Sequence, residues 1–138
     1  MRDFTDFLTV GAAAPLQAAA LPGLLFNTGY YQQLADLYTE KKEIFLSGLR
    51  RIGLAHTEPQ GTYFVLADIN PYLKLPRFSG FDDTAFCEWM IQNVGVAAVP
   101  GSSFFMDHAG DGLMRLHFAR GQDSLQEAVR RLERLASL

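Results

Sequence analysis

Residues 96–119 read VAAVPGSSFFMDHAGDGLMRLHFA, and the fold turns on how this stretch is parsed. The apolar run Val96, Ala97, Ala98, Val99 stops at Pro100 and Gly101. A polar, glycine-containing loop follows, and a second apolar run, 113–119, carries Arg115 between Met114 and Leu116. Apolar runs bounded by turn residues read as strands, so this is a pair of strands joined by a long loop. A guanidinium on a strand otherwise built for burial is costly unless an anion meets it. The residues alone leave three explanations open. Arg115 is a fork for a ligand carboxylate, or a structural partner of one of the fifteen acidic residues, or an edge residue with its head in water.

Working outward, Ser124 and Glu127 have the spacing of a capping box, and Leu125, Ala128, Val129, Leu132 and Leu135 follow with a helical period. On the other side, Asp82 or Asp83 can cap a helix that runs to about Asn93, buries Phe86, Met90 and Val94, and stops at Gly95. Residues 62–67 are β-branched and aromatic, hence a strand. Residues 54–57 are a shorter strand candidate, with a turn through Pro59 and Gly61 between the two. Residues 71–81, with their prolines, Lys74, Arg77 and Gly80, read as a surface loop.

The strongest periodicity lies further upstream. Tyr30, Leu34, Leu37, Tyr38, Ile44, Phe45, Leu49 and Ile52 fall at helical spacings along one stripe that only Lys41 interrupts. Asn27 or Thr28 is its cap, and Gly53 ends it as a left-handed residue does. Residues 12–25 form an alanine-rich apolar segment, with Pro15 suited to a first helical turn and Pro22-Gly23 to a stop. With few polar residues to face water, it is expected to pack against another domain or subunit. The resulting order of helices, β, β, helix, β, β, helix predicts an α/β (α+β) two-layer sandwich. A small mixed or antiparallel sheet has helices on one face, and a long helix precedes it.

The 138 residues fit one domain, with 49% hydrophobic and 20% charged residues as in ordinary globular proteins. No run reaches the length of a membrane span, and the acids near the N-terminus are unlike a signal peptide, so a cytoplasmic protein is expected. The net charge of −3 gives no electrostatic case for nucleic acid. The single cysteine, Cys87, excludes an internal disulfide and reads as a small core residue.

Tyr63 is either a phenol aimed into a pocket or a core aromatic. The Pro100–Ser103 turn lacks the spacing of a dinucleotide fingerprint or a P-loop. His56, His108 and His117 share no metal-binding spacing, so no metal site is expected, and His117 shares a strand face with Arg115. The three lysines, Lys41, Lys42 and Lys74, lie in a helix and a loop, where nothing desolvates an amine into a Schiff-base nucleophile.

Four segments in series carry a resemblance. Phe7-Leu8-Thr9-Val10-Gly11 with Ala14-Pro15-Leu16-Gln17, then Gln60-Gly61-Thr62-Tyr63-Phe64, then residues 95–104, then Met114-Arg115-Leu116-His117-Phe118-Ala119, are similar to the carboxyl-terminal part of class I/II aminotransferases. These are pyridoxal-phosphate enzymes of fold type I, and the nearest group is the kynurenine and methionine aminotransferase-like branch. The resemblance covers essentially the whole chain. It implies that residues 28–138 are the small domain and 1–27 a strip of large-domain or dimer-interface origin. Arg115 matches the arginine that grips the substrate α-carboxylate, and Tyr63 an aromatic position bordering the pocket. Val10 and Gly11 match a segment that reaches toward the neighbouring subunit's site in the family's homodimers. Thr5 stands where many relatives have a histidine.

The resemblance also implies what is missing. In the family the lysine that holds pyridoxal 5'-phosphate lies upstream of the matched part. The chain alone therefore has no catalytic residue, binds no cofactor covalently and is expected to be inactive in transferring an amino group between an L-amino acid and a 2-oxo acid. Two other readings stand beside it: a non-catalytic module that binds amino or keto acids, and one half of a split enzyme.

Overall fold

The computed structural model describes residues 11–138; Val10 and the rest of the N-terminal segment lie outside the described residues. The chain divides into two compact units, one ending at Asp36 and the other spanning Leu37–Leu138. In the first unit, helix α1 (Ala14–Leu24) has Pro15 in its opening turn, as its sequence predicts. It does not stop at Pro22, which lies inside its last turn. No residue of α1 is buried, and Leu24 is 77% exposed. Helix α2 (Thr28–Arg51) follows. Within the first unit, Phe26 packs edge-on against Tyr30 and the Tyr31 hydroxyl donates to the Gly23 carbonyl.

The expected stripe of α2 is only half buried. Tyr30, Leu34 and Leu37 are exposed, whereas Phe45, Leu46 and Leu49 are fully covered. Lys41 lies over the Tyr38 ring, 5.2 Å from its centroid, so the break in the stripe is a cation–π contact. The helix ends as expected. Gly53 takes φ +75°, the Leu54 N–H reaches back to the Leu49 carbonyl and the Gly53 N–H to that of Arg50, the paired bonds of a Schellman cap.

A three-stranded antiparallel sheet in the order β1-β3-β2 follows: β1 (Phe64–Asp68), β2 (Val99–Pro100) and β3 (Leu113–His117). Two strand expectations shrink. Residues 54–57 contribute only an isolated bridge, His56 to Ala67, and the run from Val96 pairs only at Val99 and Pro100. Leu54 and Val96 are used for burial instead of pairing. The loop expected at 71–81 is also more ordered, with a short helix α3 (Asn70–Leu73), a 3₁₀ turn (Pro76–Phe78) and Phe78 buried. Phe78 meets Phe86 and Trp89 edge-on, at centroid distances of 5.2 and 4.9 Å. An aromatic ring of that size stabilises through burial more than the loop's polar residues gain from water.

Helix α4 (Asp83–Asn93) is capped by Asp82, whose carboxylate accepts from the Ala85 N–H at 2.8 Å, and it buries Phe86, Cys87 and Met90. Helix α5 (Gln122–Leu132) departs from its predicted start. Gly121 is the cap residue, so Ser124 lies within the first turn and the capping box does not form. Glu127 instead accepts from Arg130 and Arg131 at 2.7 Å. Those bonds hold its carboxyl at about 2, well below the usual range.

Along β1 and β3, Val65, Ala67, Met114 and Leu116 point into one core with α2, α4 and α5, while Phe64, Leu66 and Arg115 lie on the opposite face. The period-two alternation of a strand puts Arg115 on the helix-free face of the central strand.

Two consequences are measurable. A Cβ added at Gly48 of α2 would lie 2.5 Å from both methyls of Val129 on α5. Gly48→Ala should therefore lower stability by about 1–3 kcal/mol in chemical denaturation, because overpacking outweighs the helix-propensity gain of about 1 kcal/mol. Adding Val129→Ala should recover part of the loss. Separately, burial, with Asp83 adding to it, raises the Cys87 thiol to about 11. Native protein at pH 8 should resist iodoacetamide, and unfolded protein should react at the ordinary thiol rate.

Candidate functional site

The helix-free face of the sheet holds a concavity of about 380 Å³ whose lining includes Thr57, Pro59, Phe64, Leu66, Phe104 and Arg115. Its floor follows from register: Leu66 of β1 pairs with Arg115 of β3, Phe64 with His117, and Val99 of β2 flanks Arg115 on the other side. The sequence separates these residues widely, and only antiparallel pairing around the central β3 brings them together.

The Arg115 guanidinium carbon lies 4.1 Å from the Phe64 ring centroid and 4.0 Å from that of Phe104. Both are cation–π distances, so two aromatic rings pack against the guanidinium. Among the described residues no acid pairs with Arg115, and no hydrogen bond uses its donors. Of the three explanations open from the residues, the structural ion pair is excluded among the described residues. What is left is a cation held by aromatic rings, with its N–H edge free.

The His117 imidazole titrates below its ordinary value because of partial burial, then because of Arg120 and Arg115. Glu58, which also lines the concavity, is engaged elsewhere: Arg50 lies 3.0 Å and Lys42 3.5 Å from its carboxylate, and Arg50 is the main cause of its lowered pKa.

The other predicted site residues fall as follows. Tyr63 is 40% exposed, packs on Phe64 at 4.5 Å and lies 6.0 Å from Tyr38, and it does not line the concavity. Gly11 is exposed at the start of the described residues. His108 meets Asp111 at 2.9 Å on the exposed loop, and no cluster of three metal-ligating side chains forms among the described residues. No lysine lines the concavity. Lys42 is turned to Glu58 and the Pro59 carbonyl, Lys41 to Tyr38, and Lys74 is exposed.

Phe64 and Phe104 are the site residues that residue-level reading missed. Phe64 looked like strand filling and Phe104 like loop. The available signal was an unpartnered arginine accompanied by aromatics at the strand and loop positions that β pairing would align.

Comparison with known proteins shows the family. The model of aminotransferase class I and II matches residues 1–132. Methionine aminotransferase of Escherichia coli K12 is 34% identical over 98% of this chain and 33% of its own length. A probable N-succinyldiaminopimelate aminotransferase of Mycobacterium tuberculosis is 34% identical over 99% of this chain and 35% of its own. Among solved structures, an aromatic aminotransferase from Pyrococcus horikoshii superposes over 98% of this chain and 34% of its own with a TM-score of 0.76 at 26% identity. An Escherichia coli enzyme with a methionine aminotransferase function superposes over 96% of this chain and 33% of its own, with a TM-score of 0.74 at 34% identity. The chain thus spans about a third of the length of these relatives. In sequence and in fold, it belongs to the class I and II aminotransferase family.

Proposed function

We propose that this chain supplies the substrate-carboxylate arm of an aminotransferase, the small domain that holds an L-amino acid or 2-oxo acid by its α-carboxylate while the amino group is transferred. The observation that carries this reading is Arg115, packed against two aromatic rings and with no acid or hydrogen-bond acceptor on its donors among the described residues. A carboxylate is the complement of such an edge, because two parallel charged hydrogen bonds can form in the guanidinium plane. Holding the carboxylate fixes the adjacent Cα–H bond in space, which is the positional share of the chemistry.

Pyridoxal 5'-phosphate is the cofactor that the family implies, and when bound it acts as an electron sink at the substrate Cα. The residues at this site do not fit its covalent attachment. The concavity has no lysine, and the chain's lysine amines are solvated, stacked or ion-paired. Covalent anchoring and proton transfer at Cα are accordingly assigned to the part of the family enzyme that this chain does not span, and the chain alone is inactive. In this reading residues 1–27 are a strip of the large domain and 28–138 the small domain. Tyr63, packed on Phe64 outside the concavity's lining, borders the substrate only beyond that ring, Val10 and Gly11 face the neighbouring subunit of a cytoplasmic homodimer, and the substrate side chain is selected outside this chain.

Two experiments test it. Titrating pyruvate into the chain should perturb the Arg115 side-chain resonances. Arg115→Lys should weaken binding by about 10- to 100-fold, the loss expected for one charged bidentate contact. Unchanged pyruvate affinity in Arg115→Ala would sink the carboxylate reading. Borohydride reduction in the presence of pyridoxal phosphate should leave no stoichiometric adduct on any one of Lys41, Lys42 or Lys74, and a stable single-site adduct would overturn the assignment of the anchor to another segment.

A further inference from the structure

Asp83 is a buried carboxylate, 4% exposed, and the only charged side chain among the buried groups of the described residues. It is the first residue of α4, yet that helix is capped by its neighbour Asp82. Asp83 is directed at the loop after β2 instead. One oxygen accepts from the Ser102 N–H at 2.7 Å, and the other from the Ser102 hydroxyl at 3.1 Å. No cation pairs with it among the described residues. A buried carboxyl group has to be met by donors, and Ser102 supplies two of them.

What the clip controls is geometric. Ser102 lies in the 3₁₀ turn Gly101–Ser103, and the turn delivers Phe104 to Arg115. The far end of the same loop is closed by backbone contact. A Cβ at Gly101 would run into the Gly110 carbonyl, and one at Gly110 into Gly101 and the Phe105 ring. Between these fixed points the loop is exposed, and Phe104 itself is 44% exposed, so core packing does not seat its ring. The Phe104 N–H bond to the Gly101 carbonyl shapes the turn but leaves its orientation toward α4 open; the Asp83 clip sets that orientation.

We propose that Asp83 is a positioning residue for Arg115, acting through Ser102 and Phe104 so that the guanidinium offers a planar carboxylate only its edge. The proposal rests on the carboxylate reading for its purpose but not for its geometry. An arginine with one ring missing can swing and bind anions of any shape. Packed against two rings, it is preorganised for an in-plane, two-point acceptor.

The test uses the 138-residue chain, with ¹⁵N-detected arginine side-chain NMR and pyruvate as the probe. Ring currents from Phe64 and Phe104 should displace the Arg115 Hε resonance upfield of that of Arg120. Ser102→Ala, Asp83→Asn and Phe104→Leu should each move it back toward Arg120, and Ser102→Thr should keep it in place. The methyl resonances of Leu116 and Val129, in the core behind the sheet, should stay put in Ser102→Ala, which reports a folded protein even if Asp83→Asn is unstable. Pyruvate affinity should fall about tenfold in Ser102→Ala, the worth of about one hydrogen bond. A lower melting temperature with an unmoved Arg115 resonance would make the clip purely structural and overturn the proposal. Pyruvate binding that needs Arg115 but ignores Ser102→Ala would overturn it while sparing the carboxylate reading. Absence of pyruvate binding in the unsubstituted chain, with the Arg115 shift responding as expected, would defeat the carboxylate reading and leave the positioning role standing.

Discussion

A guanidinium packed against two phenyl rings is the interaction around which the unit spanning Leu37–Leu138 is arranged. A charge on a sheet face has to be compensated, and the usual means is an acid. An exposed ion pair contributes roughly 0–1 kcal/mol and occupies the N–H donors. A cation–π contact contributes about 0.5–2 kcal/mol and occupies only the π faces. Two such contacts, from Phe64 and Phe104, therefore hold Arg115 at least as well as a carboxylate would while leaving its hydrogen-bonding edge unused. That difference is what supports the carboxylate-binding role proposed for Arg115.

The rest of the unit spanning Leu37–Leu138 serves to present that face. Helices α2, α4 and α5 cover one side of a sheet whose central strand is β3, so Met114 and Leu116 anchor the strand while Arg115 stands on its other face. Gly48 lets α2 and α5 approach closely enough for Val129 to seal that core, and the Schellman cap at Gly53 ends α2 before the chain enters the concavity's rim at Thr57. The helices make the strand immobile, and an immobile strand makes a precise arginine.

How much of this could be read from residues follows from the range of each determinant. Helix α4 was legible because its evidence is local: a capping aspartate, period-3.6 burial and a terminal glycine all lie within fourteen positions of the chain. Arg115 is legible as an anomaly on an apolar strand, and the family from the serial motifs. Its two aromatic neighbours were not, since Phe64 and Phe104 become neighbours only through non-local β pairing, and pairing register is not printed in either strand alone. The residues leave Asp82 and Asp83 as alternative caps; Asp82 takes that duty, and only the returning loop shows what Asp83 meets. The capping box at Ser124 failed through a small slip of boundary. The helix begins three residues earlier, capped at Gly121, and two arginines take the Glu127 carboxylate.

Strain gives an independent indication of where the fold gives up stability for position. Among the described residues, Thr62, Asp107 and His108 are the non-glycine residues with left-handed backbone, at φ of 59°, 56° and 61°. All three lie in the two loops that deliver Phe64 and Phe104. Thr62 is the costliest of them, since a β-branched side chain is ill suited to that region. Each such residue costs on the order of 1–3 kcal/mol and persists only where its surroundings over-determine it. Around Thr62 they do. Its hydroxyl accepts from the Phe64 N–H at 3.3 Å, and the Tyr63 carbonyl accepts from the Phe118 N–H at 3.0 Å, which ties both sides of the bend to the sheet. A chain selected for stability alone would place glycine or asparagine at position 62. Threonine there, hydrogen-bonded to the residue whose ring covers Arg115, stiffens the last link between the sheet and the aromatic clamp. The strain is localised where the guanidinium has to be held still.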